Sequence, residues 1–227
     1  MIYDLFRDGL SIDLLINLCA RVFIMFCVLP IHEYAHALVA YKLGDQTARL
    51  SGRLTINPLA HIDPFGAILI LIAGFGYAKP VPVNPRNFKN QKGGMALTAL
   101  AGPISNLIMA FIFTLCYCAC FKFMAPIVRG TFQYAITYFF SYCAMINISL
   151  AVFNLIPVPP LDGSRILRLA IPDRTYYKYA RYERYFVYGI LILVLFGVLD
   201  TPISIASGFI SSLFTKVGAA IFGLGVG

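Results

Sequence analysis

Long, predominantly apolar runs make up much of this 227-residue sequence. They cover residues 12–43, 65–78, 95–121, 132–156, 185–199 and 203–227. About 20 apolar residues are enough for a helix to span a bilayer. Only 12% of the residues are charged, about half the share found in soluble domains, so the chain lacks the polar groups that cover a water-exposed surface. We therefore predict an integral membrane protein whose solvent is the lipid bilayer, and exclude an ordinary soluble enzyme.

The apolar runs predict an α-helical polytopic membrane protein with about five transmembrane helices in a single domain, residues 1–227. The run at 65–78 is shorter than the others. Its 14 residues are typical of a re-entrant or interfacial segment rather than of a full span. No internal repeat and no Pro- or Ser-rich linker divides the sequence, which favours one domain.

A small membrane-associated β element is predicted at residues 47–56, TARLSGRLTI. Polar and apolar residues alternate through this segment, and Gly52 keeps the period. Strict alternation is typical of a half-buried strand, or of a hairpin that turns at residues 51–52.

The distribution of Lys and Arg predicts the orientation in the membrane. The net charge is +8, but the basic residues lie mainly between the apolar runs and do not form one patch. We therefore expect no nucleic-acid partner. Residues 42–92 and 165–184 hold thirteen of the eighteen Lys and Arg, and residues 122–131 hold two. The positive-inside rule places the two basic segments in the cytoplasm and the N-terminus outside, provided that 65–78 enters and leaves on one side.

The first apolar run ends in a His-Glu-x-x-His motif formed by His32, Glu33 and His36. Residues four apart share one face of a helix, so both imidazoles can bind one metal ion, and Glu33 can take a proton from water beside it. Two of the three histidines and one of the two glutamates of the chain fall in this motif. Ionisable residues inside a span are expensive to bury and are functional by default. The motif indicates a catalytic metal site.

A catalytic zinc needs a third protein ligand, and Asp162 is the strongest candidate among the remaining acids. It follows an apolar run in FNLIPVPPLDGSRIL, where three prolines prevent regular helix and Gly163 frees the backbone. Unwound backbone at membrane depth is tolerated where it lines a cavity enclosed by protein. A simple cytoplasmic turn is the alternative explanation of this segment.

The two motifs together resemble those of the site-2 protease family of intramembrane zinc metalloproteases. His-Glu-x-x-His lies late in one span, and N-x-x-P-x-P-x-L-D-G, residues 154–163, follows another. The intervening TARLSGRLTINPLAHIDPFG, GYAKPVPVNPRNF and AGPISN are similar to segments of the compact prokaryotic branch of the family. The resemblance covers most of residues 30–168, and we expect neither an inserted PDZ domain nor a C-terminal regulatory domain.

The resemblance implies a role for each matching residue of this sequence. It implies that His32, His36 and Asp162 bind one Zn²⁺ per chain and that Glu33 is the general base. Zinc lowers the pKa of bound water towards neutrality, which is the chemistry that peptide hydrolysis needs.

Further residues are candidates for contact with the substrate. By resemblance, Asn154 holds the substrate carbonyl or oxyanion, with an interhelical hydrogen bond as the alternative. Asn106, in AGPISN, matches another family position, and a packing role is equally compatible with it. In the predicted β element, Leu50, Gly52 and Leu54 would lie along an edge that pairs with an extended substrate.

The predicted function is an endopeptidase that cuts single-pass membrane proteins within or beside their spanning segment. We expect a multi-pass protein of the cell membrane with its active site near the cytoplasmic side. The first alternative is a zinc-holding membrane scaffold or chaperone without proteolytic activity, which Glu33 argues against because a scaffold needs no base. The second is a transporter, which the absence of inverted repeats in the sequence argues against.

Overall fold

The computed structural model describes residues 11–64, Gly66 and residues 79–224. Within these residues the chain forms helices joined by turns and irregular segments. In chain order the helices are α1 (Ile12–Lys42), α2 (Thr47–Leu50), α3 (Pro58–His61), α4 (Gln91–Phe123), α5 (Phe132–Asn154), α6 (Asp162–Leu167), α7 (Asp173–Arg181), α8 (Glu183–Leu195) and α9 (Asp200–Phe222). A short 3₁₀ turn at Pro85–Asn87 precedes α4.

Four of the described helices, α1, α4, α5 and α9, are long and apolar enough to cross a bilayer. The predicted span at 185–199 forms the 13-residue helix α8, which rises about 20 Å and is short of the roughly 30 Å of a bilayer core. The described residues thus support a helical polytopic membrane fold with four candidate spanning helices, and the predicted number of about five stays a prediction. The re-entrant segment predicted at 65–78 lies, apart from Gly66, outside the described residues.

The long helix α4 organises the bundle. It packs against α5, α6, α9 and the second half of α1, and α5 packs in turn against α9 and the first half of α1. Where the three helices meet, Ala20 and Val28 of α1 lie in one buried apolar cluster with Phe113 of α4 and Cys143 of α5. Small residues at such contacts let helix backbones approach closely in a membrane. The core of the bundle therefore fixes how α1 and α4 face each other.

The winding of α1 changes just before the His-Glu-x-x-His motif. Its backbone is π-helical over Ile24–Val28 and α-helical over Leu29–Lys42. Pro30 has no N–H, and in a regular helix its ring would clash with the carbonyl of Phe26, four residues earlier. The wider π turn ahead of the proline relieves this clash. The motif then lies on regular α-helix, so His32 and its partner four residues later share one face, as the spacing predicts.

The predicted β element at residues 47–56 is wrong. Thr47–Leu50 form the one-turn helix α2, and the chain then turns at Gly52, whose φ is +69°. The Asp45 carboxylate accepts hydrogen bonds from the Thr47 N–H, at 3.0 Å, and from its hydroxyl. Such local bonds compete with strand pairing, and an alternating pattern of this length is also compatible with one helical turn followed by a tight turn.

Asp45 also anchors the segment that leads to α4. Its fully buried carboxylate accepts hydrogen bonds from the Asn84 N–H and the Asn87 side-chain amide, both at 2.7 Å. Burial alone would raise the pKa of Asp45, but these hydrogen bonds and those from Thr47 outweigh it, so the pKa lies below its usual value. The preceding proline stretch, residues 79–84, is thereby held against the end of α1.

Candidate metal centre

The side chains of His32, His36 and Asp162 converge on one point between α1 and the start of α6. The Nε2 atoms of the two histidines are 3.1 Å apart. The Oδ2 atom of Asp162 lies 3.5 Å from Nε2 of His32 and 3.2 Å from Nε2 of His36. Both histidines are buried, and the side chain of Asp162 is 13% exposed. The structure thus brings together the three side chains that the sequence nominates as metal ligands.

This arrangement fits a tetrahedral zinc ion. Ligand atoms at the usual zinc distances of about 2.0–2.2 Å lie about 3.3 Å from one another in a tetrahedron, and the three separations, 3.1, 3.2 and 3.5 Å, bracket that value. Imidazole nitrogen and carboxylate oxygen are both zinc donors. Among the described residues, no other set of three or more His, Cys, Asp and Glu side chains comes close enough to share one ion.

The electrostatics of the group keep Asp162 ionised. Burial alone would raise the pKa of this carboxyl group, but the interaction of its Oδ2 atom with the two imidazole rings outweighs burial. The pKa of Asp162 therefore lies well below its usual range. A carboxyl group must be deprotonated to bind a metal, and this one is in that state at neutral pH.

The turn before Asp162 folds back on the end of α5. The backbone is non-helical over residues 155–161, as the three prolines predict. At Gly163 a Cβ atom would lie 2.2 Å from the carbonyl oxygen of Leu155 and 2.5 Å from that of Ile156. Both neighbours are backbone atoms with little freedom to move, so the turn needs glycine at this position. This close contact sets Asp162 opposite the two histidines.

α4 approaches the same group through Gly102. A Cβ atom on Gly102 would lie 2.3 Å from Nε2 of His36 and 2.5 Å from Cε1 of His32. The missing side chain therefore leaves the space that the two imidazoles occupy. Gly102 was not nominated from the sequence. The available signal was a glycine directly before Pro103 inside a long apolar run, which is typical of close backbone approach.

Backbone groups orient two residues of the motif. Nδ1 of His36 lies 2.7 Å from the carbonyl oxygen of Thr98 on α4. Nδ1 must donate in this bond, so the Nε2 lone pair of His36 is free for a metal. The Val81 N–H, in the proline stretch, donates to Oε2 of Glu33 at 3.2 Å. Sequence reasoning missed Thr98 and Val81 because both act through backbone atoms that any residue type carries.

The remaining nominated residues lie outside this group. Asn154 is the half-buried last residue of α5, next to the turn that leads to Asp162, and Asn106 is buried in α4. Leu50 is 82% exposed, Gly52 is exposed, and Leu54 packs on a small apolar cluster beside the motif. Contact of these residues with a substrate stays a prediction. The edge strand on which it was based for residues 50–54 is not formed.

Comparison with known proteins agrees with the chemistry of the group. Residues 119–197 match the profile of peptidase family M50. YwhC of Bacillus subtilis, which is named as a zinc metalloprotease, is 47% identical over 169 residues, 73% of this chain and 74% of its own length. No solved structure matches the chain significantly.

More distant relatives carry the same kind of name. Rip2 of Mycolicibacterium smegmatis, also named as a zinc metalloprotease, is 26% identical over 182 residues, 77% of this chain and 64% of Rip2. Zinc metalloprotease MJ0392 of Methanocaldococcus jannaschii is 27% identical over 198 residues, 86% of this chain and 47% of its own length. Both relatives are therefore considerably longer than the region they share with this chain.

Substitution of Gly102 tests whether α4 sets the spacing of the metal-binding side chains. We predict that Gly102→Ala weakens zinc binding by on the order of 10–100-fold, as other changes beside metal ligands do, because the new methyl group displaces Nε2 of His36. The measurement is the zinc affinity of the metal-stripped chain, titrated against a chromogenic chelator. Gly208→Ala, in α9, is the matched control, since a Cβ there meets nothing within 4 Å. Wild-type zinc affinity in Gly102→Ala would contradict the prediction.

Proposed function

The chain belongs to peptidase family M50, the site-2 proteases, and on that premise we propose that it hydrolyses peptide bonds within or beside the transmembrane segments of single-pass membrane proteins. Its class as a zinc metalloprotease follows from the family and from its relatives. The observation that carries the proposal is the position of the metal group. His32 and His36 lie on α1, a helix long and apolar enough to span a bilayer, so the chemistry would take place within the membrane.

We propose His32, His36 and Asp162 as the ligands that hold one zinc ion. Three protein ligands leave the fourth position of a catalytic zinc open. When bound, zinc supplies Lewis-acid chemistry, since it lowers the pKa of water towards neutrality and polarises a carbonyl group. The deprotonated Asp162 and the Thr98 bond of His36 support this assignment.

Glu33 is the proposed general base. It follows His32 directly on α1, is 8% exposed, and accepts one hydrogen bond at Oε2 from the Val81 N–H. That bond fixes the carboxylate and leaves lone pairs free to take a proton from the attacking water and to pass it to the leaving amine. General acid–base catalysis of this kind contributes about 10²–10⁴-fold in rate.

Asn154 is the proposed oxyanion or carbonyl donor. Asn154 is the last residue of α5, and the next residue, Leu155, packs against Gly163, which directly follows Asp162. This position beside the turn that presents Asp162 supports the role. Donors placed where negative charge develops are among the largest contributions to acyl-transfer catalysis.

A substrate helix must unwind before it can be cut, because its carbonyl groups are engaged in helical hydrogen bonds. Unwound backbone in a membrane needs new partners. The proline stretch passes beside Glu33, and residues that precede proline are biased towards extended backbone, which supports this stretch as a place where unwound substrate is held. The exposed side chains of Leu50 and Leu59 support an apolar contact nearby, with lipid or with substrate.

The proposed orientation places the metal centre near the cytoplasmic side of the cell membrane. His36 lies near the end of α1 and contacts Thr98, which lies near the start of α4. These two helix ends are therefore on one side of the bundle. The chain therefore leaves α1 and enters α4 on the same side of the bundle. The clustering of Lys and Arg at these ends indicates the cytoplasm.

Replacing Glu33 separates catalysis from metal binding. We predict that Glu33→Gln retains about one zinc per chain but loses cleavage of single-pass substrates by about 10²-fold or more, because the amide cannot accept a proton. His36→Ala and Asp162→Ala should lose zinc as well as cleavage. Zinc content and gel-based cleavage in detergent are the measurements.

Glu183→Gln is the matched control, because Glu183 is the other glutamate of the chain and is exposed at the start of α8. Full cleavage by Glu33→Gln would refute the protease mechanism proposed here. Normal zinc content in Asp162→Ala would place the third ligand elsewhere. Zinc without any cleavage by the wild-type chain would favour the scaffold alternative.

Labelling of single cysteines tests the orientation. In a background without native cysteines, Gln46→Cys and Gln91→Cys should react with a membrane-impermeant thiol reagent from the cytoplasmic side, and Val128→Cys from the opposite side. All three positions are exposed. Labelling of positions 46 and 91 from opposite sides would mean that the intervening segment spans the membrane and would reject the proposed topology.

A further inference from the structure

The two histidines of the motif differ in how their second ring nitrogen is satisfied. Nδ1 of His36 bonds the Thr98 carbonyl at 2.7 Å, whereas Nδ1 of His32 is buried and has no hydrogen-bond partner among the described residues. A histidine that binds a metal through Nε2 carries its proton on Nδ1. Metal-bound histidines almost always donate this proton to an acceptor, which fixes the ring. His32 therefore needs an acceptor that the nearby backbone does not supply.

A buried acceptor that lacks a hydrogen-bond donor lies on the facing helix, α4. Asn106 on α4 is 1% exposed, and its Oδ1 atom is buried without a partner among the described residues. His36 pairs with Thr98, and both histidines contact the position of Gly102, so α1 and α4 run antiparallel here. His32 is one turn before His36 on α1. In antiparallel helices it therefore faces residues of α4 that follow Thr98, in the direction of Asn106.

Helix geometry directs the side chain of Asn106 towards His32. The Cα–Cβ bond of a helical residue tilts towards the N-terminus, so its side chain covers the preceding turn. That turn contains Gly102, and the Cε1 atom of His32 lies 2.5 Å from where a Gly102 Cβ would be. Nδ1 is bonded to Cε1 in the imidazole ring. The unpaired Nδ1 of His32 and the unpaired Oδ1 of Asn106 therefore lie beside the same turn of α4.

We propose that Asn106 is a positioning residue whose Oδ1 accepts a hydrogen bond from Nδ1–H of His32 when Nε2 of His32 binds zinc. It would do for His32 what the Thr98 carbonyl does for His36. The inference rests on the proposed role of His32 as a zinc ligand. It also gives Asn106, which is 1% exposed, a role different from the substrate contact implied by resemblance.

Asn147 on α5 is the alternative hydrogen-bond partner of Asn106. Its substitution is therefore the matched control for a role in helix packing. It is fully buried, its Oδ1 also lacks a partner among the described residues, and its Nδ2 donates to the Cys143 carbonyl. The stacked rings of Phe113 and Phe140 are 6.4 Å apart. Asn106 is seven residues before Phe113 and Asn147 is seven residues after Phe140, so in antiparallel helices both asparagines are displaced from this ring pair in the same direction. If Asn106 only joins α4 to α5, changes at either asparagine should have the same effect.

The test measures zinc affinity, which does not depend on activity. The full chain is purified in detergent, stripped of metal, and titrated with zinc against a chromogenic chelator; thermal unfolding of the metal-free protein reports on packing. We expect Asn106→Leu to weaken zinc binding by about 10–100-fold. Asn147→Leu should lower the Tm of the metal-free protein but leave zinc affinity unchanged. Asn106→Asp restores an acceptor and should bind zinc far more tightly than Asn106→Leu.

Wild-type zinc affinity in folded Asn106→Leu would overturn the inference, as would an equal loss of affinity in Asn147→Leu. If Asn106→Leu does not fold, Asn106→Ala takes its place with the same expectation. His32→Ala tests the premise separately. Zinc binding at wild-type affinity in that variant would refute the ligand assignment itself, whereas loss of zinc in His32→Ala together with an unaffected Asn106→Leu would refute only the role of Asn106.

Discussion

Burying ionisable side chains inside a membrane protein is costly, and the structure around the metal centre is organised by how that cost is offset. His32, Glu33, His36 and Asp162 are all withdrawn from solvent. An unpaired charge in such surroundings would be strongly destabilising. Here Asp162 lies within 3.5 Å of both imidazoles, and Glu33 accepts a backbone N–H. The polar groups proposed for catalysis are thus stabilised in part by one another and in part by a backbone N–H group.

These contacts require the backbones of neighbouring helices and turns to approach each other closely. Gly102 lets α4 lie directly against both imidazoles, and Gly163 lets the turn before α6 pack on the last carbonyl groups of α5. The same approach brings the Thr98 carbonyl to His36. Because α4 also packs on α5, α6 and α9, the metal centre is supported by most of the bundle. A change in helix packing at a distance can therefore alter the geometry of the three proposed metal ligands.

The sequence predicts well those features of the structure that depend on side-chain type and spacing. Apolar length predicts the spanning helices α1, α4 and α5, and the spacing of His32 and His36 on one helix face predicts their convergence. Proline chemistry predicts the non-helical residues 155–161. The β element predicted at 47–56 is not formed because Asp45, outside the segment, accepts hydrogen bonds from the N–H and hydroxyl of Thr47 and so favours a helical turn there. Thr98 and Val81 could not be predicted, since they contribute backbone atoms whose partners are set only by tertiary packing.

The most direct test of the central claim is zinc K-edge X-ray absorption spectroscopy of the purified, zinc-loaded chain. A zinc ion held by His32, His36 and Asp162 should show only nitrogen and oxygen ligands at about 2.0–2.2 Å, with the multiple-scattering signature of two imidazole rings. The chain contains six cysteines, so sulfur is a genuine alternative donor. A sulfur shell at about 2.3 Å, or scattering from fewer than two imidazoles, would contradict a zinc centre built from His32, His36 and Asp162.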